Sequence, residues 1–216
     1  MSTTFDAWVN AVFDHPTHRP QWYWDHDFHA FWDRLETSDK VTIEHLNRLF
    51  LNSGILESYS REQVAQGIWF VLGESSPARS AYAFLNRDVA LAERNRCVRS
   101  MVQFFSDFVA AIAPDVANTQ TDPLHIACWM WWDMFPTRGG DEVEPELRES
   151  SLDTMAAMLT LPQELCQLSA LHGLNHWYVN HPERVRAIVD SFLDRAVSLT
   201  SRVMDYAATA RSGLGQ

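Results

Sequence analysis

Four of the nine histidines of this 216-residue chain fall in its first thirty positions, within DHPTHRPQWYWDHDFH (14–29). His15 and His18 are three apart, as are His26 and His29, and Asp33 follows His29 at i+4. On a helix these spacings put side chains on one face. Imidazoles joined by a carboxylate can hold Zn²⁺, Mn²⁺ or Fe, so His26, His29 and Asp33 are one candidate ligand set. Against it stands the absence of an HExxH or comparable motif. Asp25 and Asp27 acting as helix caps beside surface histidines account for the same residues. A second candidate is the HxxxH pair His172 and His176, on the same side as Leu165 and Leu168, with His181 nearby. A carboxylate arriving from another helix would complete a site there. The plainer reading is a pair of core histidines bonded to backbone or neighbouring polar groups.

Other chemistries find little support. There is no GxSxG elbow, no GxGxxG or Walker lysine, no aspartate-rich motif and no CxxC. Cys97, Cys128 and Cys166 lie far apart in apolar helical contexts, which predicts buried free thiols. Asp133, after Trp131 and Trp132, reads as a helix-end polar residue before it reads as a base. No cofactor is predicted.

Two groups of residues are candidates for contact with a partner. Trp22, Tyr23 and Trp24, with Phe28, Phe31 and Trp32, can line an interface or pocket. They can equally close one end of a helix stack. Arg87, Arg94, Arg96 and Arg99 form a local basic stripe, offset by Asp88 and Glu93, and read first as a salt-bridged helix face. Asp141, Glu142 and Glu144 belong to the segment 137–149, TRGGDEVEPELRE, which reads as a solvated acidic loop.

The formal charge of −11 disfavours binding to a phosphate backbone and suits a basic protein partner. The start, MSTTFDAWVN, has neither a basic n-region nor an apolar h-region, so no signal peptide is predicted. No run approaches the length of a membrane span, and a cytoplasmic location is expected. Apolar residues make up 46% of the chain, with nine Trp and twelve Phe, which predicts a core dominated by rings.

The elements that must position these residues are helices, because apolar spacing is helical nearly throughout. Phe5, Trp8, Val9 and Val12 mark the first. Phe28, Phe31, Trp32 and Leu35 mark a second from Asp25. Thr42 is read as the cap of a third. Ser60 and Gln63 have the form of a capping box, and Ser76-Pro77 resembles a helix start. One long helix is expected over 88–112, another from Asp122-Pro123 through Phe135, and a last long one from Pro182 past Val203. The tail from Arg211 is expected to fray. Nothing divides the chain, so one domain over 1–216 is expected, with an aromatic-rich cap at about 1–58 and a helical-hairpin stack at about 59–210.

The segment 162–195, PQELCQLSALHGLNHWYVNHPERVRAIVDSFLDR, resembles a HEAT-type helical hairpin. Small Ala170 and Gly173 stand among large apolar residues, and Pro182 opens a second helix after a short turn. The segments 122–160 and 60–112 offer further pairs, without clean self-similarity at a fixed period. The resemblance implies an all-α, HEAT-like stack of antiparallel hairpins that binds other macromolecules, and it carries over no catalytic residues. The leading expectation is therefore a protein-binding adaptor or immunity-type module without activity of its own. A metal-dependent enzyme or metal-binding protein using the His/Asp clusters is the first alternative. A helical small-molecule binder with an aromatic pocket is the second.

Overall fold

Short polar side chains start half of the main helices among the described residues. Thr4, Ser38, Ser60, Asp122 and Thr200 each turn a side-chain oxygen onto a backbone N–H of the first turn. The computed structural model describes residues 3–18, 21–24, 37–73, 80–113, 121–138, 143–195 and 198–214. Its main helices are α1 (Phe5–Phe13), α2 (Asp39–Leu51), α3 (Arg61–Leu72), α4 (Leu91–Phe104) and α5 (Pro123–Trp129). They continue with α6 (Trp131–Met134), α7 (Pro145–Met158), α8 (Glu164–Trp177), α9 (Pro182–Arg195) and α10 (Ser201–Ser212). There is no strand among the described residues, and no helix among them is long and apolar enough to cross a membrane.

The Ser60–Gln63 capping box is present. Other boundaries differ from the expectations. Thr42 is buried inside α2, because Ser38 caps that helix a turn earlier. The long central helix starts at Leu91, and after Phe104 it widens into a π-turn over Phe105–Val109. There the Cys166 thiol donates to the Phe105 carbonyl at 3.6 Å. The acidic loop is shorter than predicted. Pro145, whose ring presets a helical φ, opens α7 directly after Glu144. Asp141 and Glu142 lie outside the described residues, as do the Ser76-Pro77 start and the predicted helix over Phe28, Phe31, Trp32 and Leu35. The last long helix is two. α9 ends at Arg195, and Thr200 caps α10 by accepting from Val203 N–H at 3.3 Å. Nor is the tail frayed at Arg211, which pairs with Asp190 inside α10. Gly213 then ends the helix in the left-handed conformation, φ 66°, with its Cα packed under the Tyr178 ring.

One hydrophobic core runs through these helices. It is rich in rings: Trp8, Trp131, Trp132, Trp177, Phe50, Phe104 and Phe105 are all essentially inaccessible. α2 packs on α4, α1 and α5 pack on α3, and α7 packs on α4. α8 is the central element. Residues 168–175 are buried without interruption, and α5, α6, α7, α9 and α10 all pack against this helix.

Gly173 makes that centrality possible. A Cβ placed there would stand 2.3 Å from Trp132 Cβ and 2.8 Å from Met155 Sδ. The obstacle at Trp132 is the stem of a buried ring, which cannot swing aside. A Gly-to-Ala change ordinarily gains about 1 kcal/mol in a helix, but here overpacking of about 1–3 kcal/mol opposes it. Gly173→Ala should therefore lower the unfolding free energy in urea, by up to about 2 kcal/mol once the propensity gain is subtracted. A variant more stable than the wild type, as helix propensity alone would give, would contradict so close an approach of α8 to α6.

Candidate metal centre

The predicted helix after Asp122 does not run through to Phe135. Met130 leaves the helical track at φ −77°, ψ 1°, and splits it into α5 and α6. The break has a partner on α8, where Ser169 Oγ donates to the Cys128 carbonyl at 2.7 Å. That bond supplies a donor to a carbonyl beside the interruption. α6 then carries Asp133 up to the face of α8 that bears His172 and His176.

There the structure brings three potential ligands together. One carboxylate oxygen of Asp133 and one ring nitrogen each from His172 and His176 lie within 4.8 Å of one another. Asp133 Oδ1 is 3.3 Å from His176 Nδ1, and each of these side chains is about a quarter exposed. The two imidazoles, one helical turn apart, have their centres 4.6 Å apart. His172 is 7% exposed. Its Nδ1 is 2.7 Å from the Tyr206 hydroxyl on α10, and the Trp129 ring lies 4.4 Å from its own. Its Nε2 is buried and makes no hydrogen bond. A buried ring nitrogen without a partner costs about 1–3 kcal/mol, unless an ion takes its lone pair.

Burial, reinforced by the neighbouring His176 and only partly opposed by Asp133, pushes the His172 pKa down to about 4. The imidazole is therefore neutral at pH 7, which is the form that binds metal. A Zn²⁺ held at about 2.0–2.2 Å from each ligand keeps the ligand atoms about 3.5 Å apart. The three groups need to close by only about 1 Å to reach that geometry.

The other candidates divide. His26, His29 and Asp33 lie outside the described residues. His15, from the same segment, is engaged with the Ala11 carbonyl at 2.6 Å and stacks on Trp22 at 3.9 Å. Trp22 is consequently buried, also against Phe70 at 4.7 Å, and cannot face a partner. Its neighbour Trp24 is 60% exposed. Arg94 is not part of an exposed stripe. Its guanidinium is buried, donating to the Val89 and Phe84 carbonyls at 2.9 and 3.0 Å and closing an ion pair with Glu144. That hydrogen bond from Arg94 holds the Glu144 carboxyl below its usual range. Arg96 and Arg99 remain exposed, with Arg99 reaching Ser150 Oγ at 3.2 Å. The three cysteines are buried free thiols, and burial pushes the Cys166 thiol up to about 12. None of them is a ready nucleophile.

The sequence presents Asp133 only as a helix-end polar residue and gives no sign of Tyr206. Each comes to the histidines from a different helix. The only sequence signal for either was an acid at the polar end of an otherwise apolar segment.

The depressed His172 pKa makes stability depend on pH in a definite direction. Unfolding returns the imidazole to its ordinary value near 6.5. The unfolded chain therefore binds the extra proton first as the pH falls. The contribution is complete above pH 6.5 and is lost progressively toward pH 4, by on the order of 3 kcal/mol. Urea unfolding of the chelator-treated protein at pH 7 and pH 4.5 should show a steeper loss for the wild type than for His172→Gln. Equal slopes would contradict the assignment.

The chain matches no protein-family description, no curated protein and no solved structure, so the reading of this centre rests on its own geometry.

Proposed function

We propose that this protein binds one divalent transition metal ion through Asp133, His172 and His176, and that the ion serves a metal-dependent reaction. The observation that carries the reading is that ligand atoms of Asp133, His172 and His176 lie within 4.8 Å of one another, while His172 Nε2 is buried and has no hydrogen-bond partner. Two imidazoles and a carboxylate suit Zn²⁺, Fe²⁺ or Mn²⁺. Three protein ligands would leave coordination positions free, and Asp133 and His176, each about a quarter exposed, give the cluster contact with solvent. Structural zinc sites are closed by four protein ligands, whereas catalytic ones keep a position open. When bound, such an ion supplies Lewis-acid activation of water or of a substrate oxygen. The chain's own part is to hold the ligands on two helices fixed by the Gly173–Trp132 contact, and to keep His172 neutral.

The test is a titration of the chelator-treated protein with Zn²⁺ by calorimetry. One equivalent should bind per chain, and His172→Gln and Asp133→Asn should each lose most of the affinity while keeping the helical circular dichroism. A wild-type protein that takes up no more zinc than the two variants would overturn the reading.

A second reading, favoured by the exposed Trp24, is partner binding on a HEAT-like scaffold. α8 and α9 are joined by the turn 178–181 and pack on one another, as a hairpin requires. Large exposed aromatic residues are the type that anchors interfaces. In this reading the net negative charge selects a basic partner. A second chain that copurifies with the wild type from its own host, and not with Trp24→Ala, would support it. Copurification indifferent to Trp24 would count against that surface.

A further inference from the structure

An imidazole can ligate a metal through only one nitrogen at a time, and which one is free depends on where its proton sits. Tyr206 decides this at His172. Its hydroxyl is 2.7 Å from Nδ1, so the ring's second nitrogen, Nε2, is the one left for the cluster with Asp133 and His176. Two proton arrangements satisfy that contact. If Nδ1–H donates to the phenol oxygen, Nε2 presents a lone pair. If the phenol donates to Nδ1, Nε2 carries a hydrogen and cannot bind an ion.

Metal binding selects the first arrangement, because only a lone pair on Nε2 can ligate an ion, and the phenol oxygen is able to accept the Nδ1–H. Trp129 packs its ring on His172 at 4.4 Å and meets Tyr206 edge-on at 6.5 Å. The imidazole is thereby held between α5 and α10.

We infer that Tyr206, steadied by Trp129, is a positioning residue for the metal centre: it fixes the His172 tautomer and ring orientation that present Nε2 to the ion. The inference rests on the metal-binding reading above. It also gives the C-terminal helix a role, since α10 supplies no ligand and yet determines whether His172 can act as one. Hydrogen-bond partners of ligating histidines generally contribute ten- to hundred-fold in metal affinity.

The test uses the full chain, with Co²⁺ and Zn²⁺ alone as probes. Binding is followed by cobalt visible absorption and zinc calorimetry for the wild type, Tyr206→Phe and Trp129→Phe. Tyr206→Phe keeps the ring and removes the hydroxyl. It should bind ten- to hundred-fold more weakly, with a cobalt spectrum altered from the wild type. Trp129→Phe trims the indole that packs on His172 and meets Tyr206 edge-on, so it should shift affinity in the same direction by less. It also serves if Tyr206→Phe does not fold. In the zinc-loaded wild type, ¹⁵N chemical shifts should place the His172 proton on Nδ1, a signature that a merely packing role for Tyr206 would not require. Wild-type binding with unchanged affinity in both variants, or the proton found on Nε2, overturns the inference and leaves the metal reading standing. Absence of metal binding by the wild type overturns both.

Discussion

The contact between Gly173 and Trp132 is the constraint on which the rest of this structure depends. Without a Cβ on Gly173, α8 lies against the stem of a buried indole, at a separation no other residue would allow. That approach puts the central helix close to α6, and α6 is the element that carries Asp133. The buried middle of a helix surrounded by five others, residues 168–175, has little solvent to serve its polar side chains, so these need to find partners inside. Ser169 does so at the Cys128 carbonyl and His172 Nδ1 does so at Tyr206. His172 Nε2 does not. The burial that organises the fold thus leaves a basic nitrogen of α8, beside Asp133 and His176, whose demand an ion would meet.

The same burial sets the electrostatics. Desolvation keeps His172 neutral across the physiological range, while Asp133 and His176, nearer the surface, provide the charge and the access. Elsewhere the chain handles buried charge by pairing it. Arg94 is enclosed and fully engaged by two carbonyls and Glu144. Asp122 caps α5 while holding Arg61. Burial alone would raise its pKa, but the His125 backbone N–H and Arg61 outweigh that and lower it. His172 Nε2 is one of several buried polar atoms without a hydrogen-bond partner, among them His125 Nδ1 and Trp131 Nε1, and it is set apart by the carboxylate and second imidazole gathered beside His172.

Much of the architecture was legible in the sequence because helical periodicity and capping chemistry are local. The stripes of α1, α3 and α4 and the Ser60 capping box could be read directly, as could the HxxxH pair on one face of α8. What could not be read depends on contacts between distant segments. The break at Met130 is tied to Ser169 from another helix, and nothing in LHIACWMWWDMF announces it. The stop between α9 and α10 was hidden by apolar residues continuing at helical spacing. Arg94 looked like surface because arginine off an apolar stripe usually is, and only the carbonyls of the 84–89 segment draw it inward. Asp133, read only as a helix-end acid, and Tyr206 could not be joined to the histidines for the same reason, since no spacing rule connects residues on three separate helices. The histidine pair gave two of the three proposed ligands; the third is a property of the fold.

Anomalous diffraction tests the central claim most directly. Crystals of the chelator-treated protein, soaked in Zn²⁺ and measured at the zinc edge, should show one strong peak at about 2.0–2.2 Å from His172 Nε2, a His176 ring nitrogen and an Asp133 carboxylate oxygen. A soaked crystal with no peak at that position, and with Asp133 and His176 still bonded to one another, would contradict the account.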